Sequence, residues 1–390
     1  MIKPTLQTRR ATKRPKASAS NLSTFAALGL LTGLLGACSP RGEVIIVPEA
    51  ERTGAVVEIL SATSRGPSQG NAISPRLRAE TLRYAEFRIS VPPQRTPGTV
   101  SFGRGNAPDP NTDFLTVSAE QIADERSFLT ILNARLAKRP REAQEVVVFV
   151  HGFNTNFAEG LYRHAQMAHD FRSPGVALSY SWPSAGSVLA YPSDRESALF
   201  ARDGLEQTLN TASRSIARDI VLVGHSMGAM VVMETVRQMA IRGSDRELDK
   251  LQAVVLIAPD LDIDVFRMQI VQLAPRSLPI YIAVSGRDRA LRLSGLLRGQ
   301  TDRLGSIREV ERVSELPGVI VIDVTNVRGE NDPNNHFVVA TSPAMIALIS
   351  GLDRLGTTVL RDEERQGNVF EAAVGVVAGA SQVVLRPLAP

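Results

Sequence analysis

The stretch Asp219–Val236 reads DIVLVGHSMGAMVVMETV and contains a serine between two glycines, in Gly224-His225-Ser226-Met227-Gly228. The run before the motif is continuous and mostly β-branched, which is typical of a strand buried on both faces. The run after it has the spacing of a helix. A G-x-S-x-G motif between strand and helix predicts a nucleophile elbow, a tight turn that lifts the serine hydroxyl above the sheet edge. The alternative is a glycine-rich turn whose serine only caps the following helix.

The pattern on either side of this stretch alternates between short apolar runs and helical spacing. Such alternation predicts an α/β fold, in which a mostly parallel, doubly wound sheet carries helices on both faces. The spacing of Ser193 and Glu196 predicts a capping box at the start of one helix. Strands are predicted at 44–47, 56–60, 84–91, 145–150, 175–182, 219–223, 251–258, 278–285 and 318–324, and helices at 122–138, 157–171, 193–216, 229–241 and 337–352.

A serine hydroxyl needs a base to become a good nucleophile, and the order of partners in this fold is Ser, acid, His. Among the five histidines, only His336 follows Ser226 in the chain, in the polar stretch NDPNNHFVV. The acid has two candidates, Asp288 and Asp260, each just after a predicted strand. Asp288 is preferred because it follows the later strand. Asp260, with Asp262 and Asp264, would otherwise cap the helix that follows.

Two backbone N–H groups are needed to stabilise the oxyanion of an acyl-transfer reaction. The expected donors are Met227, which follows the serine, and Phe153, in the turn after strand 145–150. Trp182 and Tyr191 follow the next strand, where they would either line an acyl pocket or pack in the core. Both interpretations stay open at this point.

The chain resembles a bacterial α/β-hydrolase family known only as a domain of unknown function. The resemblance covers most of residues 146–300. It implies an α/β-hydrolase fold and a Ser226/Asp288/His336 triad, but it implies no substrate. The stretches that carry it are VVVFVHGFNTNFAEGLYRHAQMAHDF, SYSWPSAGSVLAYPSDRESA, VLVGHSMGAMVVMETVRQ, LIAPDLDIDVF and VSGRDRALRLSGLLRG.

The N-terminal 37 residues differ from the rest of the chain. They hold six of the 44 basic residues and no acidic residue, so the remaining 38 basic and 40 acidic residues leave a net charge of −2. No basic patch is left that would indicate nucleic-acid binding. A basic start, a short apolar run and the ending Leu35-Gly36-Ala37-Cys38 predict a lipoprotein signal with lipidation of Cys38. The alternative is an ordinary signal peptide with an incidental cysteine.

These features predict four segments and one leading function. The segments are a signal peptide (1–37), a linker with the first strands (38–145), a catalytic core (146–355) and a C-terminal tail of uncertain structure (356–390). The function is a membrane-anchored serine hydrolase of the cell envelope that cleaves carboxylic esters, including lipid or acyl esters, without a cofactor or metal. Acyl transfer and amide cleavage would use the same residues. A non-catalytic envelope lipoprotein that uses the fold as a binding module is the hypothesis of another class.

Overall fold

The structure of the chain is a computed structural model that describes residues 41–67, 73–103, 107–276, 278–297, 303–306, 311–330, 332–354 and 384–385. The predicted signal peptide and Cys38 therefore lie outside the described residues, as does most of the predicted tail. In the part that is described, no helix is both long and apolar enough to cross a membrane.

One ten-stranded sheet organises the described chain, in the order β10-β9-β8-β7-β6-β4-β5-β1-β2-β3. The strands from β4 to β9 run parallel, and β1 is parallel to its neighbour β5. Antiparallel pairing occurs at the two ends, between β1, β2 and β3 and between β9 and β10. The strands are β1 (Ala55–Pro67), β2 (Ile73–Val91), β3 (Leu115–Ile122), β4 (Glu145–Val150), β5 (Val176–Ser181), β6 (Asp219–His225), β7 (Leu251–Ile257), β8 (Ile280–Val284), β9 (Val319–Asp323) and β10 (Val384–Leu385).

Helices connect the parallel strands and cover both faces of the sheet, as the α/β-hydrolase fold requires. The helices are α1 (Glu125–Ala137), α2 (Phe157–Asp170), α3 (Tyr191–Ser213), α4 (Met227–Arg242), α5 (Asp245–Leu248), α6 (Ile263–Leu273), α7 (Arg289–Leu297), α8 (Glu311–Ser314), α9 (Val338–Thr341) and α10 (Pro343–Arg354).

The alternation of side chains along β4 shows how the core is divided. Val146, Val148 and Val150 pack on one face with apolar residues of α1, α3, α4 and α6. Phe149 points to the other face, where it packs with residues of α2, α9 and α10. Because successive strand residues point to opposite faces, a strand covered on both sides must be apolar throughout. That requirement explains the continuous EVVVFV run.

Several sequence predictions were wrong in detail. Residues 44–47 form only one bridge, from Ile46 to Thr116, and β3 had not been predicted. Helix α3 begins at Tyr191, so Ser193 lies inside its first turn and its hydroxyl donates to the Ala190 carbonyl instead of forming a capping box. The last predicted helix is two helices, which are separated at Ser342 before Pro343. Residues that precede proline disfavour helical backbone angles, which accounts for this break.

Candidate active site

Ser226 lies at the junction of β6 and α4 in a strained backbone conformation. Its φ of 53° and ψ of −121° fall outside the regions that side-chain-bearing residues prefer. The turn is fixed by its backbone, since the Ser226 N–H donates to the Ile257 carbonyl at 3.0 Å and the Ser226 carbonyl accepts from the Asp260 N–H at 3.1 Å. Strain held by the surrounding structure in this way is typical of functional sites.

Close packing explains why glycine is needed on both sides of the serine. A Cβ on Gly228 would come within 2.4 Å of the carbonyl oxygens of Val150 and His151, at the end of β4. A Cβ on Gly224 would lie 2.9 Å from the Cα of Ala229 in α4. The two glycines therefore let the elbow pack directly against the end of the neighbouring strand β4 and against its own helix α4.

His336 and Asp288 meet at the same edge of the sheet as Ser226. Asp288 follows β8 and is fully buried, and its Oδ2 lies 2.7 Å from Nδ1 of His336. Its other carboxylate oxygen accepts from the Leu291 N–H at 2.9 Å. His336 follows β9 and keeps 18% of its side chain exposed. A carboxylate on Nδ1 holds the proton there and leaves Nε2 free to accept one.

The loop that carries His336 is fixed by Asp332. The carboxylate of Asp332 accepts hydrogen bonds from the N–H groups of His336, at 3.0 Å, and Phe337, at 2.7 Å. The His225 ring, next to the serine, lies 4.8 Å from the His336 ring between centroids. Among the described residues, however, no hydrogen bond joins Ser226 Oγ to His336. In unliganded sites such bonds are often long and shorten when substrate binds.

The surroundings of His336 favour its protonated form. Burial alone lowers its pKa, but the hydrogen bond and charge of Asp288, with the charges of Asp260 and Asp332, outweigh burial and raise the pKa above its usual 6.5. A raised pKa makes the imidazole a stronger acceptor for a proton from serine.

Asp260, the alternative acid, is engaged elsewhere. It is buried, and its Oδ1 accepts from Nε of Arg303 and from the Ser294 hydroxyl, both at 2.7 Å. Its Oδ2 accepts from the Tyr191 hydroxyl at 2.7 Å. The helix-capping role belongs to Asp262, whose carboxylate accepts from the first N–H groups of α6. Asp260 thus forms a buried ion pair beside the site and is not hydrogen-bonded to His336.

The turn after β4 lies against the elbow. A Cβ on Gly152 would come within 3.0 Å of the Ser226 Cβ and 2.7 Å of the His225 ring. In the residues that the structure describes, the N–H groups of Phe153 and Met227 donate to no other group. Met227 follows Ser226 in the chain, and Phe153 lies in the turn that packs against the elbow. The N–H groups of both are therefore available to a ligand. The positive end of the α4 dipole adds to the same effect.

The two aromatic residues proposed for the substrate pocket are mostly core residues. Trp182 is fully buried, stacks on the His151 ring and donates from Nε1 to the His151 carbonyl at 2.6 Å. Tyr191 is 7% exposed and contacts the Phe153 ring edge to face, at 5.1 Å between centroids. This placement favours the core-packing interpretation for Trp182. Tyr191 instead packs against Phe153, in the turn after β4, and its hydroxyl donates to Asp260.

A cavity of about 210 Å³ lies beside this turn. Gly152, Thr155, Arg163, His225 and Phe337 are among the residues that line it. In the described part of the chain, no group of three or more His, Cys, Asp or Glu side chains is arranged to hold a metal ion. Sequence reasoning missed Asp332, which lies only four residues before His336 but in no recognised motif. It also missed Arg303, because no local pattern connects it with Asp260, 43 residues away.

Comparison with known proteins identifies the family. The model of a family described as an alpha/beta hydrolase of unknown function (DUF900) matches residues 124–352, more than half of the chain. No curated protein matches the chain.

Among solved structures, one of two fungal esterases from Rhizomucor miehei is 13% identical, with 87% of this chain and 100% of that chain covered and a TM-score of 0.33. Brefeldin A esterase, described as a bacterial homologue of human hormone-sensitive lipase, is 13% identical, with 87% of each chain covered and a TM-score of 0.36. A lipase-esterase related protein from Clostridium acetobutylicum is 11% identical, with 55% of this chain and 96% of that chain covered and a TM-score of 0.32. TM-scores this low carry no information about activity.

Proposed function

We propose that this chain, which belongs to the alpha/beta hydrolase family DUF900, is a serine hydrolase that cleaves carboxylic esters through an acyl-enzyme on Ser226. One observation carries the proposal. A buried carboxylate, Asp288, orients His336 at the sheet edge where Ser226 is held in a strained elbow. A serine, a base and a group that orients the base are the parts that nucleophilic acyl transfer needs.

In the first half of the reaction, His336 Nε2 removes the Ser226 hydroxyl proton as Oγ attacks the ester carbonyl carbon. The Oγ–C bond forms, and the carbonyl π electrons move to the oxygen, which becomes an oxyanion. The N–H groups of Phe153 and Met227 would stabilise that charge. The carbonyl re-forms as the C–O bond to the alcohol breaks, and the imidazolium gives its proton to the leaving alkoxide.

In the second half, water attacks the acyl-enzyme. His336 accepts a proton from the water as the water oxygen bonds to the acyl carbon. The second tetrahedral intermediate then collapses: the bond from Ser226 Oγ to carbon breaks, Oγ takes the proton back from the imidazolium, and the carboxylic acid leaves. Throughout the cycle, Asp288 keeps the His336 proton on Nδ1 and stabilises the imidazolium. Acyl transfer to another acceptor, or cleavage of an amide, would differ only in the group that attacks or leaves.

The cellular setting of the proposal is the bacterial envelope, with the protein held on the membrane through lipidated Cys38. It is supported by the basic start, the short apolar run and the sequence Leu35-Gly36-Ala37-Cys38. The several acyl chains of a bacterial lipoprotein would anchor the chain stably, whereas one chain would not. A lipid or acyl ester is the substrate class that such a location would supply.

A panel of p-nitrophenyl esters and acyl thioesters of increasing chain length tests the proposal on the full-length protein in detergent. We expect turnover of at least one ester, with saturation kinetics, and its loss in Ser226→Ala while the melting temperature is kept. Turnover that survives in Ser226→Ala would show that the hydrolysis does not use this site. If the folded wild-type protein turned over none of the esters and reacted with no serine-directed reagent, the binding-module hypothesis would replace the proposal.

A further inference from the structure

Arg65 is a fully buried cation, and it comes from β1, outside the residues that the family model matches. Burial lowers its pKa to about 9, while the negative charges of Asp194 and Glu159 act in the opposite direction. Arg65 therefore stays positively charged at neutral pH. Burying a charge is costly unless it is compensated by hydrogen bonds and opposite charge, so its position calls for a physical reason.

The guanidinium of Arg65 ties together the two turns that follow β4 and β5. Nε donates to the Ser181 hydroxyl at 2.8 Å, and Nη1 donates to the Ser184 carbonyl at 2.7 Å, both at the end of β5. Nη2 donates to the Thr155 carbonyl at 3.0 Å and to Nε2 of His151 at 3.3 Å, in the turn after β4. The planar fork of an arginine can hold several acceptors at fixed directions, which a lysine cannot.

The contact with Arg65 determines which nitrogen of His151 carries the proton. Arginine can only donate, so Nε2 of His151 must be the acceptor and its proton must be on Nδ1. Burial and the charge of Arg65 lower the pKa of His151 to about 3, so the ring is neutral. Nδ1 lies 2.9 Å from the Gly152 carbonyl oxygen and therefore donates to it.

That hydrogen bond orients the peptide group between Gly152 and Phe153. The chain has no cis peptide bond among its described residues, and in a planar trans peptide the C=O and N–H point in opposite directions. With the Gly152 carbonyl held by His151, the Phe153 N–H must point away from the His151 ring. A Cβ added to Gly152 would lie only 3.0 Å from the Ser226 Cβ, so this N–H belongs to the peptide group next to the nucleophile.

We propose that Arg65 is a positioning residue which, through His151, fixes the Gly152–Phe153 peptide so that the Phe153 N–H faces the oxyanion on Ser226. The inference rests on the proposed function and adds a role for β1, which lies about 60 residues before the start of the matched family region. Asp194 and Glu159 provide the compensating negative charge. Asp194 is held in place by the Ser184 hydroxyl at 2.7 Å and the Ala185 N–H at 2.9 Å.

The test replaces Arg65 by methionine, which keeps an unbranched apolar stem but is shorter than arginine and lacks its donors and its charge. Loss of a whole oxyanion donor costs about 10²- to 10³-fold in kcat, and a misdirected donor should cost less, about 10- to 100-fold. We expect kcat per active site, with active sites counted by reaction of Ser226 with a titrant, to fall by this factor. KM should stay within about threefold of the wild-type value. The inhibition constant of an alkylboronic acid, whose adduct with the serine resembles the tetrahedral intermediate, should rise by a similar factor.

Arg88→Met is the matched control, because Arg88 lies on β2 and pairs on the surface with Glu51. It should leave kcat and the inhibition constant unchanged. A second readout does not need turnover: in protein labelled with [¹⁵N]phenylalanine, the amide signal of Phe153 should shift in Arg65→Met and not in Arg88→Met. If the role of Arg65 were purely structural, Arg65→Met would lower the melting temperature and the number of active sites that can be titrated. It would leave kcat per active site unchanged.

If Arg65→Met does not fold, two His151 variants decide the question. The amide nitrogen of Asn occupies the place of Nδ1 and can still donate to the Gly152 carbonyl, whereas that of Gln occupies the place of Nε2. We expect His151→Asn to keep at least tenfold more kcat than His151→Gln. Equal kcat in the two His151 variants would overturn the inference. So would a kcat per active site in Arg65→Met within twofold of the wild-type value. Absence of Ser226-dependent turnover in wild type would overturn the proposed function instead, and the Phe153 signal would still test Arg65.

Discussion

Replacing Asp288 by asparagine should remove most of the turnover while leaving the fold intact. Asn has nearly the same shape, but its amide nitrogen can donate to Nδ1 of His336 and so move the proton to Nε2. In that tautomer, His336 cannot accept the Ser226 proton. The corresponding change in a serine protease lowers kcat by about 10⁴, which is about 5.4 kcal/mol of transition-state stabilisation. The 2.7 Å contact between Asp288 and His336 predicts a loss of that order here.

Asp260→Asn is the matched comparison, because Asp260 and Asp288 are both buried and follow the neighbouring strands β7 and β8. Asp260 pairs with the buried Arg303 and not with His336. Breaking a buried ion pair costs about 3–5 kcal/mol, and Asn keeps one acceptor, so about 3 kcal/mol is expected. At roughly 2–4 °C for each kcal/mol, the melting temperature should fall by about 6–12 °C.

The assay measures kcat on the most reactive ester of the panel, well below both melting temperatures, with each value divided by the number of sites titrated. Asp288→Asn should lose about 10⁴ in kcat and change little in melting temperature. Asp260→Asn should keep kcat within about tenfold and lose stability. The opposite pattern would refute the assignment of Asp288 as the acid. Similar losses of kcat in both variants would refute the separation of the two roles.

Three further predictions concern pH, packing and location. The pKa of His336 is raised, and activity is lost when His336 is protonated, so the acid limb of kcat/KM against pH should have its midpoint above 6.5. A midpoint below 6.5, or a midpoint that Asp288→Asn does not lower, would contradict this account. Gly228→Ala should lower the melting temperature and weaken labelling of Ser226, because its Cβ would meet two carbonyl oxygens at 2.4 Å. Gly286→Ala, whose nearest atom would be 3.5 Å away, is its control, and equal melting temperatures in the two variants would argue against the packing. Cys38→Ser should release the protein from the membrane fraction, and mass spectrometry should find lipid on Cys38 of the wild type; a soluble wild-type protein that begins at another residue would rule out the anchor.

The strands of the central sheet could be predicted because the local sequence of each strand shows that both of its faces are buried. Strands covered on both faces must be apolar throughout, as in residues 145–150, and the order of the elements then fixes the parallel topology. Strand β3, LTVSAEQI, is the last strand of the sheet, and on the side opposite its partner β2 it forms, among the described residues, only the bridge from Thr116 to Ile46. Several of its residues are therefore exposed, and its sequence has no such run. The helix at Tyr191 begins earlier than predicted because Pro192 suits a first helical turn.

The candidate site was partly visible for a similar reason. Ser226 is marked by its local motif, and His336 by the order of the chain. The preference for Asp288 over Asp260 rested only on strand order and on the family resemblance, because an aspartate after a strand looks the same in sequence whether it orients a histidine, caps a helix or pairs with a distant cation. The partner of Asp260 is Arg303, 43 residues later. Arg65 lies 86 residues before His151, and no local pattern connects them.

Labelling with a fluorophosphonate tests the central claim most directly, because this reagent reacts with a serine only where a base and oxyanion donors act together. The account predicts one covalent adduct per chain, on the tryptic peptide that contains Ser226, with no adduct in folded Ser226→Ala and slow labelling in His336→Ala. A folded wild-type protein that forms no adduct, or forms it on another serine, would contradict the claim that Ser226 is an activated nucleophile.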